Sequence, residues 1–157
     1  MFNIPFKLRG GVALIAAAFA LFLVTTGGAA ALSIRLSLAE LDAAADAVAR
    51  GRVERIESYW TADGIIESNV YVRLSDAPRG ALSAGAEIVV RARGGEVDGV
   101  TMRASEEAHF EIGEEVYLFL TGLENGARRV AAGSQGKYRV LGERAVNAEW
   151  GRSLLLA

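Results

Sequence analysis

His109 is the only histidine of the chain, and there is no cysteine. Those two facts remove a multi-histidine zinc site, thiolate ligands and thiol nucleophiles at once. A Ser-His-acid triad would have to be built on His109, with Ser105 and one of Glu106, Glu107 or Glu111 as its nearest companions in sequence. A triad is a matter of geometry, and residues strung along one loop seldom meet it. The expectation is that His109 is a loop residue beside an anchoring Phe110 and that no residue is catalytic. A small hydrolase using His109 and the nearby glutamates is the alternative. Glu106, Glu107, Glu111, Glu114 and Glu115 are of the ligand type that Ca²⁺ takes. They lack EF-hand spacing, so they read as a solvated acidic rim and no metal is expected. Arg91, Arg93 and Arg103 either form an anion patch or pair with those glutamates across a sheet face. Neither G-x-G-x-x-G nor P-loop spacing occurs, so no nucleotide site and no cofactor are expected.

The N-terminus sets the compartment in which such chemistry would operate. Lys7 and Arg9 form a short positive segment, Val12 to Val24 an unbroken apolar run, and Gly27, Gly28, Ala29, Ala30 and Ala31 a small-residue stretch. That is the order of a secretory signal peptide, with Ala29 and Ala31 in the A-x-A relation of a cleavage site. The expected division is a signal peptide over 1–31, cut before Leu32, and one domain over 32–157. An uncleaved membrane anchor is the alternative, because a span takes about 20 apolar residues. The domain is extracytoplasmic in either case: secreted or periplasmic if cut, membrane-anchored if not. Absence of Cys excludes a lipid-modified lipoprotein and leaves packing and hydrogen bonds to hold the fold without disulfides. Of 17 Lys plus Arg against 19 Asp plus Glu, 15 and 19 remain after the signal. A mildly acidic surface argues against nucleic acid, whose binding rests on neutralising phosphates.

Beyond the signal the periodicity changes twice. Leu38, Leu41, Ala45 and Val48 lie at helical spacing, and Ser37 with Glu40 makes a capping box, so a helix is expected over about Leu38 to Ala47. Alternation follows. Ala49, Gly51 and Val53 share one parity and Ile56, Ser58 and Trp60 the other, which predicts one long strand bent by a bulge at Glu54-Arg55, with Val53 and Ile56 both inward. The same parity puts Trp60 in the core and Tyr59 outside. Asp63-Gly64 is a hairpin signal. Further strands are expected through Val70–Leu74, Ile88–Arg93 (ending at Gly94-Gly95), Val116–Leu120, Arg129–Ala132 and Lys137–Leu141. Val116–Leu120 is apolar on both parities, as in a strand covered on both faces. One helix and about five strands, the first long and bulged, predict a mainly β domain: a small five-stranded OB-like barrel preceded by a short helix. An open sandwich, which usually has more strands, competes with it.

The succession A-D-A-V-A-R-G-R-V, V-Y-V-R-L-S-D-A-P-R-G, E-I-V-V-R-A-R-G-G and F-E-I-G-E-E-V-Y-L-F-L, closing on G-S-Q-G-K-Y-R-V, resembles the netrin-like modules. That group contains the tissue inhibitors of metalloproteinases, and exported bacterial proteins share the signature. The likeness covers roughly Leu38 to Leu141, and its most specific part is Phe110-x-x-Gly113-Glu114-Glu115. It implies an OB fold. The inhibitors' metal-chelating N-terminal Cys and shaping disulfides have no counterpart here, so their inhibitory residues do not carry over.

A non-enzymatic module that binds a protein of the cell envelope or medium, acting on or beside an extracytoplasmic protease, is the functional expectation. The contact surface is expected at one barrel end: the mature N-terminus near Leu32, the Trp60–Ile65 hairpin, and a long glycine-bearing loop from Gly94 to Phe110. Rigidly held loops are where binding residues concentrate. Val97, Val100 and Met102 would supply apolar contacts, with Tyr59, Trp60 and His109 as amphipathic neighbours. Alternatively the three aliphatic side chains tuck into the barrel mouth.

Overall fold

The structure, a computed structural model, describes residues 34–156. The signal segment 1–31 and its cut before Leu32 lie outside the described residues. No helix among the described residues is long and apolar enough to cross a membrane.

Helix α1 spans Leu38–Ala44. Its start is the expected capping box: Ser37 Oγ accepts from the Glu40 N–H at 3.2 Å, and Glu40 Oε2 accepts from the Ser37 N–H at 2.7 Å. The helix stops three residues short of the expected Ala47. Ala45 is already extended, and the Asp46 N–H donates to the Leu120 carbonyl at 2.8 Å. Pairing with a distant strand thus overrides the local helix preference of an alanine-rich run.

Nine strands follow among the described residues: β1 (Ala47–Trp60), β2 (Ile66–Arg79), β3 (Glu87–Val97), β4 (Val100–Arg103), β5 (Glu115–Glu124), β6 (Ala127–Val130), β7 (Lys137–Leu141), β8 (Arg144–Asn147) and β9 (Arg152–Leu155). A 3-10 turn, Gly133–Gly136, separates β6 from β7. Five of them form a closed ring, because β1 pairs with β2, β2 with β3, β3 with β6, β6 with β5, and β5 again with β1. Only the β3–β6 contact is parallel. This closing β1–β5 ladder, from Ala47 against Leu120 to Arg52 against Glu115, sets the arrangement apart from an open sandwich.

A single bent strand serves two neighbours because it is bulged where the sequence changes parity. The β1–β2 register shifts between Val53 and Arg55, leaving Glu54 unpaired. Val53 is fully buried and Ile56 packs on the same core, so both side chains face inward. Gly51 lies at a second register shift, and a Cβ there would press on the Arg73 carbonyl oxygen at 2.5 Å. Only glycine lets β1 bend that close to β2.

Two apolar clusters use the two faces of β5. Val116, Leu118 and Leu120 point into the ring, with Val53, Val70, Val72, Leu74 and Val90 around them. Phe119 points outward, where Leu41 of α1, Val48, Tyr138 and Ala145 cover it. The double-parity apolar run is thus covered on both faces, by the ring core and by α1 with β7 and β8. Val116 pairs with both Gly51 and Arg139, and Leu120 with both Ala47 and Val130. It follows that β6 and β7 share the edge of β5 opposite β1, and β7, β8 and β9 then continue as an antiparallel meander.

Strands β4, β8 and β9 were not expected. Each has only four residues, too few for alternation to register. The expected long loop from Gly94 to Phe110 is in its first half a hairpin. β3 runs on through Gly94-Gly95, and Val97 pairs with Val100 across an Asp98-Gly99 turn whose φ values are 51° and 78°. Positive φ at both central residues is the tight hairpin geometry that Asp-Gly favours.

Candidate functional site

The filling of the ring changes along its axis. Where β1 pairs with β5, the inward side chains are mostly Val and Leu. Towards the other end they shrink to Ser58 on β1, Ser68 on β2, and Ala92 and Gly94 on β3, with Ala108 from the following loop. Interiors normally pack to crystal-like density. Here a cavity of about 430 Å³ remains, open to solvent and rimmed by Arg93, Met102, Arg103 and His109.

Backbone geometry shapes the opening. Arg93 is the last β3 residue paired with β2, and from Gly94 onward β3 pairs with β4. Gly95 makes the bend possible: its φ is 138°, and a Cβ would overlap Ser58 Oγ and Ser68 Oγ. The two hydroxyls lie 2.8 Å apart, and Ser68 Oγ donates to the Gly94 carbonyl at 2.6 Å. Ser68 has one proton to give, so Ser58 is the donor between the pair. Ser58 Oγ is left with lone pairs only.

Of the six residues singled out in the sequence, Met102 and His109 line the cavity. Val97 and Val100 face each other at the tip of the β3–β4 hairpin, half-buried and exposed respectively, outside both the cavity and the apolar core. The alternative in which all three aliphatic side chains tuck into the mouth fits Met102 and not Val97 or Val100. Trp60 is 43% exposed, which corrects its assignment to the core. It is the last residue of β1, beyond the point where the inward face has a core to meet. It pairs with Ile66, whose N–H approaches Met102 Sδ at 3.5 Å, so Trp60 stands at the same end of the ring. Tyr59 belongs elsewhere: half-buried on the outer face, it donates to Glu67 Oε2 at 3.2 Å. Leu32 lies outside the described residues, and Ile34 to Leu36 run against Gln135 and Arg152 without lining the cavity.

His109 is exposed, and its imidazole joins no hydrogen bond among the described residues; only its backbone carbonyl is engaged, by Lys137 Nζ. Neither Ser105 nor any of Glu106, Glu107 and Glu111 hydrogen-bonds to it. Glu106, Glu111 and Glu115 are exposed, as a solvated rim requires, and Glu114 is the exception. Glu114 has a nearly buried side chain, 4% accessible, between Lys137 at 2.7 Å and Arg139 at 3.2 Å. Glu111 meets Arg139 at 2.6 Å and Glu115 meets Arg50 at 3.1 Å. Strand neighbours on β1 and β7 bring these cations to them. Arg139 is held above the ordinary guanidinium value by its hydrogen bond to Glu111 and the charges of both carboxylates. Among the described residues no three of His, Cys, Asp and Glu cluster closely enough to hold a metal.

Backbone bonds tie this acidic segment to the bulge. The Gly113 N–H donates to the Val53 carbonyl at 2.8 Å, and the Val53 N–H to the Glu114 carbonyl at 3.0 Å. Phe110 packs against the ring core. The Phe110-x-x-Gly113-Glu114 pattern therefore fastens one wall of the cavity to β1.

With those glutamates engaged, the arginines do not pair with them. Arg91 Nε donates to Asn69 Oδ1 at 3.4 Å. Arg93 and Arg103 make no ion pair or side-chain hydrogen bond among the described residues. No family model, no curated protein and no solved structure matches the chain. The site thus rests on its own geometry, and its floor carried a signal that alternation alone did not expose. Ile56-Glu57-Ser58 and Ile66-Glu67-Ser68 repeat on either side of the Asp63-Gly64 turn. Ser58 and Ser68 stand five residues on either side of Asp63, so a hairpin centred there sets the two hydroxyls opposite each other.

One charged pair beneath this end gives a pH test. Burial pushes the Glu67 carboxyl up, but its hydrogen bond to Arg129 at 3.0 Å, the Arg129 charge and the Tyr59 hydroxyl outweigh that and hold it below the ordinary value. A carboxyl lowered in the folded state stabilises the fold above its unfolded value and loses that contribution as pH falls through the folded one. Glu67→Gln should cost about 1 kcal/mol at pH 7, for a pair only partly shielded from water. The gap from wild type should close in urea titrations run below about pH 4. A gap of equal size at pH 7 and pH 3 would assign the loss to shape alone.

Proposed function

We propose that this chain is an exported, non-enzymatic binding module with an OB-like, netrin-like fold. The open end of its strand ring docks a protein of the cell envelope or medium, an extracytoplasmic protease being one such partner. The fold reading is supported by the closed circuit β1-β2-β3-β6-β5, by the long bulged first strand, and by the resemblance across Leu38 to Leu141. Export is supported by the order of charge, apolar run and small residues ahead of Leu32.

One observation carries the docking reading: the unfilled cavity opens at the same end as the exposed Trp60 and Val100. Large apolar side chains around a concavity, held by a rigid sheet, are what a protein interface has at its centre. The lone imidazole of His109, with no acid or hydroxyl hydrogen-bonded to it among the described residues, supports contact rather than turnover.

A photo-crosslinking side chain at position 109, introduced in the expressing cell, tests this. A single discrete protein adduct is expected. In Val97→Ser/Val100→Ser its yield should fall about tenfold, as for loss of interface contacts. The melting temperature should move by only about 2 °C, because the tip lies outside the core. A large drop in melting temperature with the adduct intact would return those valines to the fold and remove the site.

A further inference from the structure

Resting on that docking reading, we propose that the ring-end cavity receives an aromatic side chain of the partner protein that carries a neutral hydrogen-bond donor, an indole or a phenol. The aromatic body fills the apolar space, and its N–H or O–H donates to Ser58 Oγ.

Strand parity decides what the cavity offers inside. On β1, β2 and β3 the residues that face it are Ile56 and Ser58, Ser68 and Val70, Ala92 and Gly94. Alternation puts their charged neighbours Glu57, Glu67, Arg91 and Arg93 on the outer face, where Tyr59 and Arg129 meet Glu67. Glu96, Arg103 and Glu111, at the opening, are all exposed. A charged group carried into the cavity would thus leave water without meeting an opposite charge, which is costly. The occupant is therefore neutral.

Hydrogen bonding narrows the choice further. Ser68 gives its one proton to the Gly94 carbonyl and Ser58 gives its own to Ser68, so Ser58 Oγ can only accept. A pure hydrocarbon in the cavity would seal that acceptor from water and strand it. A carboxamide would satisfy it but bring a carbonyl, for which the inward side chains have no donor left. An indole is a donor only, and a phenol donates from the edge of an otherwise apolar ring. Ligand pockets run to about 300–1,000 Å³, and this cavity falls within that range, too wide for the short side chain of Ser or Thr to fill. Phe110 in the wall and Met102 at the mouth add ring–ring and sulfur–ring contacts that an aliphatic chain cannot make. Trp and Tyr are also the side chains that most often anchor a protein interface.

Titration of the full chain, purified as its cell processes it and followed by backbone amide NMR shifts, provides the test. The probes are acetyl-Ala-Ala-X-Ala-Ala-amide peptides with Trp, 1-methyl-Trp, Tyr, Phe or Leu at X. Trp should bind about fivefold more tightly than 1-methyl-Trp, and Tyr than Phe, the difference one neutral hydrogen bond makes. Both advantages should vanish in Ser58→Ala, which strands no group because Ser68 still donates to Gly94. Shifts should centre on Ser68 and Ala92, and affinity should be insensitive to added salt, as for contact without charge. A donor effect in the Trp pair alone would identify indole as the source, and in the Tyr pair alone phenol; either upholds the pocket. Equal binding within both pairs, an advantage that survives Ser58→Ala, preference for Leu, or no shift at Ser68 with any peptide would overturn it. Crosslinking from position 109 keeps the two readings apart. If the adduct forms and the paired peptides bind alike, docking stands and donor selection falls; if wild type gives no adduct, the docking reading itself fails and takes this inference with it.

Discussion

Tyr138→Ala should lower stability by about 4 kcal/mol, within the range for emptying a fully packed aromatic site. Tyr138→Phe should leave stability unchanged or raise it. Tyr138 is fully buried on β7, with its ring 5.9 Å from that of Phe119, among Leu41, Ala45, Val48 and Ala145. Truncation would open a void beneath α1, and the helix, only seven residues long, has no other buried residue than Leu41 to keep it in place. The Tyr138 hydroxyl has no hydrogen-bond partner among the described residues. Its removal therefore strands nothing, whereas an unpartnered buried hydroxyl carries a desolvation penalty. Thermal melts should show a fall of about 12 °C for the alanine variant, at roughly 3 °C per kcal/mol for a domain of this size. A phenylalanine variant as unstable as the alanine variant would show that the hydroxyl is satisfied after all.

Asn147→Ala is expected to cost about 3 kcal/mol, since it leaves several buried groups without partners. Asn147 is buried on β8. Its Nδ2 donates to the Ser134 carbonyl at 2.8 Å and the Gln135 carbonyl at 3.3 Å, and its Oδ1 accepts from the Trp150 N–H at 3.1 Å. Those bonds fix the 3-10 turn, and the turn holds the entry of the chain: Gln135 Oε1 accepts from the Leu36 N–H at 2.9 Å, and Gln135 Nε2 donates to the Ile34 carbonyl at 2.9 Å. Urea unfolding should register the loss. Hydrogen exchange at the Leu36 amide should accelerate in step, though Leu36 lies far from residue 147 in sequence. Unchanged exchange there would mean that the N-terminal stretch is anchored independently of this network.

How well the sequence foretold this structure depended on the length of each signal. The β1 bulge was legible because parity switches once within a fourteen-residue strand. The two covered faces of β5 were legible because apolar residues occupy every position from Val116 to Leu120. The four-residue β8 and β9 are too short for alternation to mark them, and neither was expected. Asp98-Gly99 is the same dipeptide as Asp63-Gly64, yet the glycines at 94 and 95 masked it by reading as a strand end. Trp60 shows the limit of parity reasoning. Alternation gives the direction of a side chain and says nothing about where along the strand the core ends. The cavity was less legible still, because it consists of small residues brought together by β1, β2, β3 and a loop. Arg93 and Arg103 were visible as charges, and their lack of partners emerged only once Lys137, Arg139 and Arg50 were seen to occupy the glutamates.

The β1–β5 ladder also governs how such a chain can reach its native state. Ala47 meets Leu120 and Arg52 meets Glu115, across nearly the whole intervening sequence, so ring closure waits on contacts of high sequence separation. Pairings of that kind form slowly because the chain entropy of closure is lost before the contacts compensate for it. Until β5 arrives, the three-stranded meander β1-β2-β3 has apolar residues such as Val48 and Ala49 on an unpaired flank. An exposed strand edge of that composition is a template for intermolecular pairing. A polypeptide released before Glu115 has no means of covering it. Nascent or truncated forms of this protein are consequently its most aggregation-prone states, and the last third of the chain acts as an intramolecular guard for the first.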